Sequence, residues 1–241
     1  AGIIKRRVPC IVGPQQEAGL EVIEAVAARN MAPLSVYGQH WHASRGAGRM
    51  VYQDEQGLLD LPLPNLLGVH QVQNAGGAIA TLRALGFDAA ASEGAVTGAR
   101  WPARMQRLKH GPLVEAAGHA ELWLDGGHNP AAGHALAVVL DELPQVPTYL
   151  ICGMLNTKDI TGYLKPLSPH VAGLHAVSIP GEAATLPAEV TARSAREAGM
   201  EAFEEDTVAV AISKIVGKTP QARILICGSL YLAGNILKDN G

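Results

Sequence analysis

Apolar residues along the chain follow two different spacings, and each spacing predicts one kind of element. Short continuous apolar runs favour buried strands, whereas apolar residues three and four positions apart favour helices. Before residue 101 the pattern predicts a β-α-β opening, a hairpin around the turn 54–57 and two further helices. The predicted strands are 8–12, 33–37, 50–52 and 58–61, and the predicted helices are 14–29, 69–85 and 93–99.

After residue 101 strands and helices alternate regularly. The predicted strands are 121–124, 148–152, 174–179 and 224–227, and the predicted helices are 130–143, 160–167, 187–198 and 207–215. Continuous apolar strands that alternate with helices indicate a parallel sheet covered on both faces. We therefore predict an α/β fold whose C-terminal part is a Rossmann-like, mostly parallel sheet. The change of pattern places a domain boundary near residue 101, between domains 1–100 and 101–241.

Composition and charge exclude several classes of partner. The net charge is −3 and the chain has no long basic run, so it lacks the positive stripe that a nucleic-acid backbone requires. No apolar stretch approaches membrane-spanning length. The three cysteines, Cys10, Cys152 and Cys227, lie in apolar runs and are interpreted as reduced core thiols. We expect a cytoplasmic monomer that binds small molecules.

The segment LDGGHNP carries the clearest chemistry, because it joins a predicted strand directly to a predicted helix. Asn129 suits the N-cap and Pro130 suits the first helical position, so unpaired N–H groups and a positive dipole end meet the carboxyl edge of the sheet. Open α/β sheets bind ligands at that edge. Asp125 can accept hydrogen bonds from sugar hydroxyls, and His128 can donate to phosphate or carboxylate. The alternative is that Asp125 only ties a turn and His128 only caps the helix; the residues by themselves favour neither.

Two other features of the sequence do not predict a ligand site. His40 and His42 would share a strand face, but no third ligand lies nearby, so no metal site is predicted there. The phosphate-binding pattern G-x-x-x-x-G-K-[ST] is absent. Gly217-Lys218-Thr219 has Ile212 where the first glycine would stand, and we interpret Gly217 as a helix C-cap.

Six segments resemble motifs of the folylpolyglutamate synthase/dihydrofolate synthase family, which are ATP-dependent ligases related to the Mur ligases. The segments follow one another along the chain in the same order as the motifs do in the family. LDGGHNPAA resembles the family's DGAHNP motif, AGIIKRRVP its AGIIK segment, and VHQVQNAGGAIATL its HQ-x-x-N-A helix. WPARMQRL resembles PGR(L/M)Q, ICGMLNTKD resembles G-M-x-x-x-KD, and ICGSLYLAG resembles GSLYL. The six segments span nearly the whole chain. Ala103 stands where the family has glycine, and Gly127 stands where it has alanine.

The resemblance implies roles for five residues. Asn74, Arg104 and Asp125 match residues that contact ATP, and His128 and Ser229 match residues associated with the incoming glutamate; Arg104 and His128 are the expected catalytic residues. A guanidinium can neutralise phosphate oxygens in a fork geometry. Alternatives remain open for three of them. Asn74 would only bind a neighbouring loop, Arg104 would form a hinge salt bridge, and Ser229 would only cap the following helix.

The resemblance also implies that the chain corresponds to part of a longer enzyme. In the family, the P-loop and the metal ligands precede AGIIK, so ATP and Mg²⁺ are expected cofactors whose main ligands lie upstream. Residues 1–100 would be the end of a P-loop-type ATPase central domain, and residues 101–241 a Mur ligase C-terminal domain that receives glutamate.

The implied reaction of the full-length protein begins when ATP phosphorylates a carboxylate of dihydropteroate or of a folate glutamate tail. The amine of L-glutamate then attacks the acyl phosphate. The 241-residue chain is expected to be inactive by itself. The alternatives are a Mur-type peptidoglycan precursor ligase, against which HQ-x-x-N and GSLYL favour the folate branch, and a non-catalytic nucleotide-binding module. The last would need a G-x-G-x-x-G turn, whose spacing GGHNPAAG does not match.

Overall fold

Contacts among elements divide the computed structural model, which describes residues 1–241, into two units, Ala1–Arg100 and Trp101–Gly241. Each unit has hydrophobic clusters of its own. The assignment of the first unit to the end of an ATPase domain stays a prediction.

The first unit contains a parallel strand pair and a three-stranded antiparallel sheet. Its elements are β1 (Cys10–Val12), α1 (Glu17–Asn30), β2 (Leu34–Val36), β3 (Trp41–Gly46), β4 (Arg49–Asp54), β5 (Gly57–Pro62), α2 (Val69–Ala84) and α3 (Ala89–Gly98). The predicted β-α-β opening and hairpin are confirmed. β3 was not predicted, because only alternate residues at its start are buried and the rest is exposed.

The core of the first unit lies between the antiparallel sheet and α2. Trp41, Met50, Tyr52 and Ile79 are fully buried there. Gly76 allows the close approach, since a Cβ at this position would lie 2.6 Å from the Cβ of a β3 alanine. The expectation that two histidines share a strand face is wrong: residue 40 lies in the turn before β3, and only residue 42 lies on the strand.

The second unit is built on a six-stranded sheet in the order β10-β9-β8-β11-β7-β6, parallel throughout except for β6. Its strands are β6 (Gln106–Arg107), β7 (Glu121–Leu124), β8 (Thr148–Cys152), β9 (Gly173–Ala176), β10 (Ala202–Glu204) and β11 (Arg223–Cys227). Its helices are α4 (Pro112–Ala117), α5 (Pro130–Glu142), α6 (Ile160–Leu164), α7 (Ala188–Glu197), α8 (Val208–Lys218) and α9 (Leu230–Asn240), with a 3-10 helix at Lys165–His170. The predicted mostly parallel α/β sheet is confirmed.

Helices cover both faces of this sheet. One hydrophobic cluster joins α5, α6 and α7 to one face, and the other joins α4, α8 and α9 to the opposite face. The helix predicted at 160–167 ends earlier, at Leu164. Prolines at 166 and 169 disfavour a continued α-helix, and the chain changes to 3-10 geometry there. Gly217 is not a C-cap, since α8 continues to Lys218 and Thr219 occupies that position.

No helix combines the length and the apolar character that crossing a membrane would require.

Candidate functional site

The carboxyl end of β7 shows why an acid follows this strand. The backbone N–H of Asp125 donates to the carbonyl of Ile226 on β11, which continues the sheet pairing by one residue. Its carboxylate accepts two backbone hydrogen bonds, from Gly127 N at 2.7 Å and from Met105 N at 2.9 Å. Only 6% of Asp125 is exposed. The turn-tying role is therefore observed, and a contact with nucleotide stays a prediction.

The segment that Asp125 holds has an unusual backbone. Ala103 has φ +54° and Met105 has φ +41°, so two left-handed residues flank Arg104, and both are buried. Left-handed conformations are unfavourable for residues with a Cβ and persist where surrounding contacts hold them. The side chain of Gln106 provides one such contact, because its Oε1 accepts from Ala103 N at 2.9 Å. The left-handed angle gives a physical reason for glycine to suit position 103.

Arg104 lies half-buried between these two residues. Its Nη1 donates to the carbonyl of Ala103 at 3.1 Å, and the same carbonyl accepts from Gly126 N at 2.9 Å. No acidic side chain lies within ion-pair distance of the guanidinium, so the hinge salt bridge considered from the sequence is not observed. Arg104 is fixed by a neutral acceptor and keeps its charge unpaired.

His128 is anchored in the same way. Its Nδ1 lies 2.8 Å from the carbonyl oxygen of Gly126. Because a carbonyl oxygen can only accept, Nδ1 carries the hydrogen, and Nε2 of the neutral ring is left as an acceptor. The ring orientation is thus set by the backbone of the turn that Asp125 ties.

Gly126 lies at the centre of these contacts, and a larger residue here would have to displace the Leu230 side chain. A Cβ at this position would lie 2.3 Å from Cδ2 of Leu230 and 3.3 Å from Nη1 of Arg104. Leu230 and Tyr231 begin α9 and remain about half exposed. The start of α9 therefore lies against the turn after β7.

Two helix caps shape the rest of this edge. Asn129 accepts from Ala132 N at 2.9 Å and Pro130 is the first helical residue, so the predicted start of α5 is confirmed. Ser229 is the N-cap of α9, with its Oγ accepting from Tyr231 N at 3.0 Å. The capping role considered for Ser229 is observed, and its contact with glutamate stays a prediction.

Asn74 and the KD pair of the segment ICGMLNTKD, Lys158 and Asp159, also lie in segments that match the family motifs. Asn74 is exposed on α2 of the first unit, where its Nδ2 donates to Gln71 Oε1 at 3.1 Å. Its observed partner is thus one helical turn away and not in a loop. Asp159 accepts from Gly162 N at 2.9 Å as the N-cap of α6, and Lys158 is exposed.

The structure therefore brings together Arg104, Asp125 and His128, with Ser229 on the adjacent strand end. Sequence reasoning missed the role of Gln106. The residue was visible in the segment WPARMQRL, but its contact depends on left-handed backbone that no sequence pattern reveals.

Two thiols and a phenol lie buried beneath this edge. Cys152 and Cys227 are free thiols on paired strands, and both are buried. The hydrogen bond with Cys227, together with burial, raises the pKa of the Cys152 thiol. Burial likewise raises the pKa of the Tyr163 phenol, with further contributions from both thiols.

Comparison with known proteins places these features in a family. A family model described as dihydrofolate synthetase, C-terminal domain, matches residues 106–239. The folylpolyglutamate synthase of Lacticaseibacillus casei is 29% identical over 255 residues, which cover 98% of this chain and 55% of that protein. A probable bifunctional folylpolyglutamate synthase/dihydropteroate synthase of Haloferax volcanii is 30% identical over 177 residues, covering 72% of this chain and 20% of that one.

Solved structures of enzymes from the same family are also similar to this chain. FolC of E. coli, in complex with DHPP and ADP, has 27% sequence identity and a TM-score of 0.83, covering 98% of this chain and 54% of that chain. A bifunctional folylpolyglutamate synthase/dihydrofolate synthase with Mn, AMPPNP and L-glutamate bound has 26% identity, a TM-score of 0.81 and the same coverage. The chain spans about half the length of the Lacticaseibacillus relative.

Proposed function

Because the chain belongs to the dihydrofolate synthetase C-terminal domain family, we propose that it is part of an ATP-dependent ligase. The enzyme joins L-glutamate to dihydropteroate, to the glutamate tail of a folate, or to both. The observation that carries this proposal is the network at the carboxyl end of β7, where Arg104 and His128 are both anchored by backbone carbonyls beside Asp125. Similar structures contain ADP, AMPPNP, Mn and L-glutamate, which supports a nucleotide-dependent reaction.

The reaction has two steps. A carboxylate oxygen of the folate attacks the γ-phosphorus of ATP, which forms an acyl phosphate and releases ADP. The amine of glutamate then attacks the acyl carbon, which forms the amide and releases phosphate and a proton. Positioning and charge stabilisation provide most of the catalysis in phosphoryl transfer, so fixed cationic groups are the expected protein contribution.

Arg104 neutralises phosphate oxygens in this scheme. Its guanidinium has no acidic partner and is fixed through the carbonyl of Ala103. A guanidinium forms two parallel hydrogen bonds with phosphate, and an anchored one loses less conformational freedom on binding. Its site geometry therefore suits the charge that develops as the phosphoryl group transfers.

His128 acts on the glutamate. With Nδ1 held by the carbonyl of Gly126, Nε2 accepts a hydrogen from the glutamate amine in the neutral ring and donates to a carboxylate in the protonated one. Ser229 follows the neighbouring strand β11 and its oxygen caps α9. Its proposed role is to donate its hydroxyl hydrogen to a glutamate carboxylate, although only 3% of the residue is exposed. Asp125 and Asn74 contact the nucleotide in this scheme, although only 6% of Asp125 is exposed.

Magnesium ligands are not supplied by this chain in our scheme. No three His, Cys, Asp or Glu side chains gather in a metal-binding arrangement, and the Asp125 carboxylate is engaged by backbone N–H groups. By the family resemblance, residues upstream of AGIIK would hold Mg²⁺, which would polarise phosphate oxygens when bound. The three free cysteines support a cytoplasmic enzyme, the net charge of −3 supports small-molecule substrates over nucleic acid, and we propose a monomer.

The test is glutamate-dependent ADP release by the protein expressed from its complete reading frame. We expect release with dihydropteroate or tetrahydrofolate and none with muramyl precursors; the opposite preference would support the peptidoglycan ligase. Arg104→Lys and His128→Gln should each lower kcat/KM by about 100-fold. Arg193→Lys, on an exposed part of α7, is the matched control and should leave the rate unchanged. The 241-residue chain alone should release no ADP.

A further inference from the structure

Arg104 is held in place by a segment that does not relax to ordinary backbone. The residues on either side of it, Ala103 and Met105, have φ values of +54° and +41° and are only 2% and 4% exposed. Each carries a Cβ, so each left-handed angle is unfavourable and needs a contact that maintains it. The backbone that carries Arg104 is therefore held in an uncommon conformation on both sides of the residue.

The two backbone N–H groups of this segment are each fixed by a side chain. Met105 N donates to Asp125 Oδ2, and Ala103 N donates to Gln106 Oε1, both at 2.9 Å. Gln106 is itself fixed, because it begins β6 and pairs with Leu124 of β7. Its side chain therefore reaches back three residues from a rigid strand to the start of the strained segment.

We propose that Gln106 is a positioning residue for the ligase reaction, acting through Arg104, an inference that rests on the proposed function. Without its side-chain oxygen, the buried N–H of Ala103 has no acceptor, and its left-handed angle loses the contact that offsets its strain. The carbonyl of Ala103 would then rotate away from both Nη1 of Arg104 and the N–H of Gly126. The guanidinium would no longer have a fixed direction toward phosphate.

Two substitutions separate the hydrogen bond from the shape of the side chain. Gln106→Glu keeps an oxygen acceptor, whereas Gln106→Met keeps the length and removes it. In the protein expressed from its complete reading frame, Gln106→Met should lower kcat/KM for ATP by about tenfold, and Gln106→Glu should stay within about threefold of the wild type. Gln145→Met, at an exposed position of the same unit, is the control and should leave kcat/KM unchanged.

A double-mutant cycle tests whether the effect passes through Arg104. In an Arg104→Lys background, Gln106→Met should cause little further loss of kcat/KM, since the group it positions is already gone. A full additional tenfold loss, or no rescue by Gln106→Glu, would overturn the proposal and leave Gln106 a residue that only stabilises the fold.

Amide hydrogen exchange gives a readout that does not depend on activity. Gln106→Met should speed exchange at Ala103 and Met105 while the central strands remain protected, and Gln106→Glu should not. Unchanged exchange at both amides would also overturn the proposal. If the wild-type protein releases no ADP with any folate acceptor, the proposed function fails, and the exchange result still decides whether Gln106 holds the segment.

Discussion

Substitution of Asp125 by asparagine tests how the candidate site is held together. The carboxylate accepts one hydrogen bond on each oxygen, from the backbone N–H groups of Met105 and Gly127. Asparagine keeps one acceptor oxygen and turns an NH2 group toward the other N–H, so one of the two bonds is replaced by a donor facing a donor. The side chain is 6% exposed, so water replaces the lost partner poorly.

The size of the effect follows from the burial and charge of these groups. A hydrogen bond to a charged group contributes about 1.5–3 kcal/mol, and a buried donor left without a partner costs about 1–3 kcal/mol. These are two descriptions of the same loss, so we expect Asp125→Asn to lower the free energy of unfolding of the second unit by about 2 kcal/mol.

The assay must observe the second unit separately from the first. Urea unfolding read by pulsed hydrogen exchange provides this, because peptides from Trp101–Gly241 report independently of those from Ala1–Arg100. Asp159→Asn is the matched control, since Asp159 is an exposed N-cap with one hydrogen bond and asparagine caps helices about as well as aspartate. If Asp125→Asn unfolds within about 0.5 kcal/mol of the Asp159 control, the carboxylate does not hold this turn as described.

Two further predictions concern groups outside the site. Glu205 is buried, and although burial alone would raise its pKa, hydrogen bonds from Lys214 and His175 lower it from its ordinary value of 4.5. The stabilisation by the Glu205 carboxylate is therefore complete above about pH 4.5 and is lost as the pH falls through the lowered pKa. Glu205→Gln should lower the free energy of unfolding by about 1–2 kcal/mol at pH 7 and by progressively less in acid, as measured by urea unfolding across pH. A difference between the two proteins that grows toward low pH would contradict this. Gly228 has φ +101°, and a Cβ there would lie 2.8 Å from three neighbouring atoms, so Gly228→Ala should lower the unfolding free energy by about 2 kcal/mol or more. Gly217→Ala, in an open helical position, should raise it by about 0.5–1 kcal/mol, and equal effects at the two glycines would refute the steric explanation.

The sequence predicted the centre of the sheet well, for a physical reason. The predicted bounds of β7 and β8 coincide with the observed ones, Glu121–Leu124 and Thr148–Cys152, because central parallel strands are buried on both faces and form continuous apolar runs. The edge strands β6 and β10 have two and three residues, which is too short for any periodicity. They were therefore missed.

The candidate site was likewise predictable from the sequence only in part. The cap at Asn129 was predictable, because it depends only on residue types next to the helix start. The loop around Arg104 was not, because Ala103 and Met105 adopt left-handed angles that neither residue prefers by itself. Those angles result from contacts with Asp125 and Gln106, which tertiary structure supplies.

If the end of β7 takes part in phosphoryl transfer, as we propose, its arrangement has to meet two requirements that conflict with each other. A cationic side chain needs a fixed direction, yet the usual partner that fixes it is a carboxylate, which would neutralise the charge that phosphate requires. Here a carbonyl oxygen orients the Arg104 guanidinium without cancelling its charge, and another carbonyl oxygen orients the His128 ring. The acid that lies nearby, Asp125, accepts from backbone N–H groups and so stabilises the loop that carries Arg104. The Asp125 carboxylate therefore organises the backbone, while the Arg104 guanidinium has no carboxylate partner within 4.0 Å, and this division is what our proposal of a nucleotide-binding role for Arg104 requires.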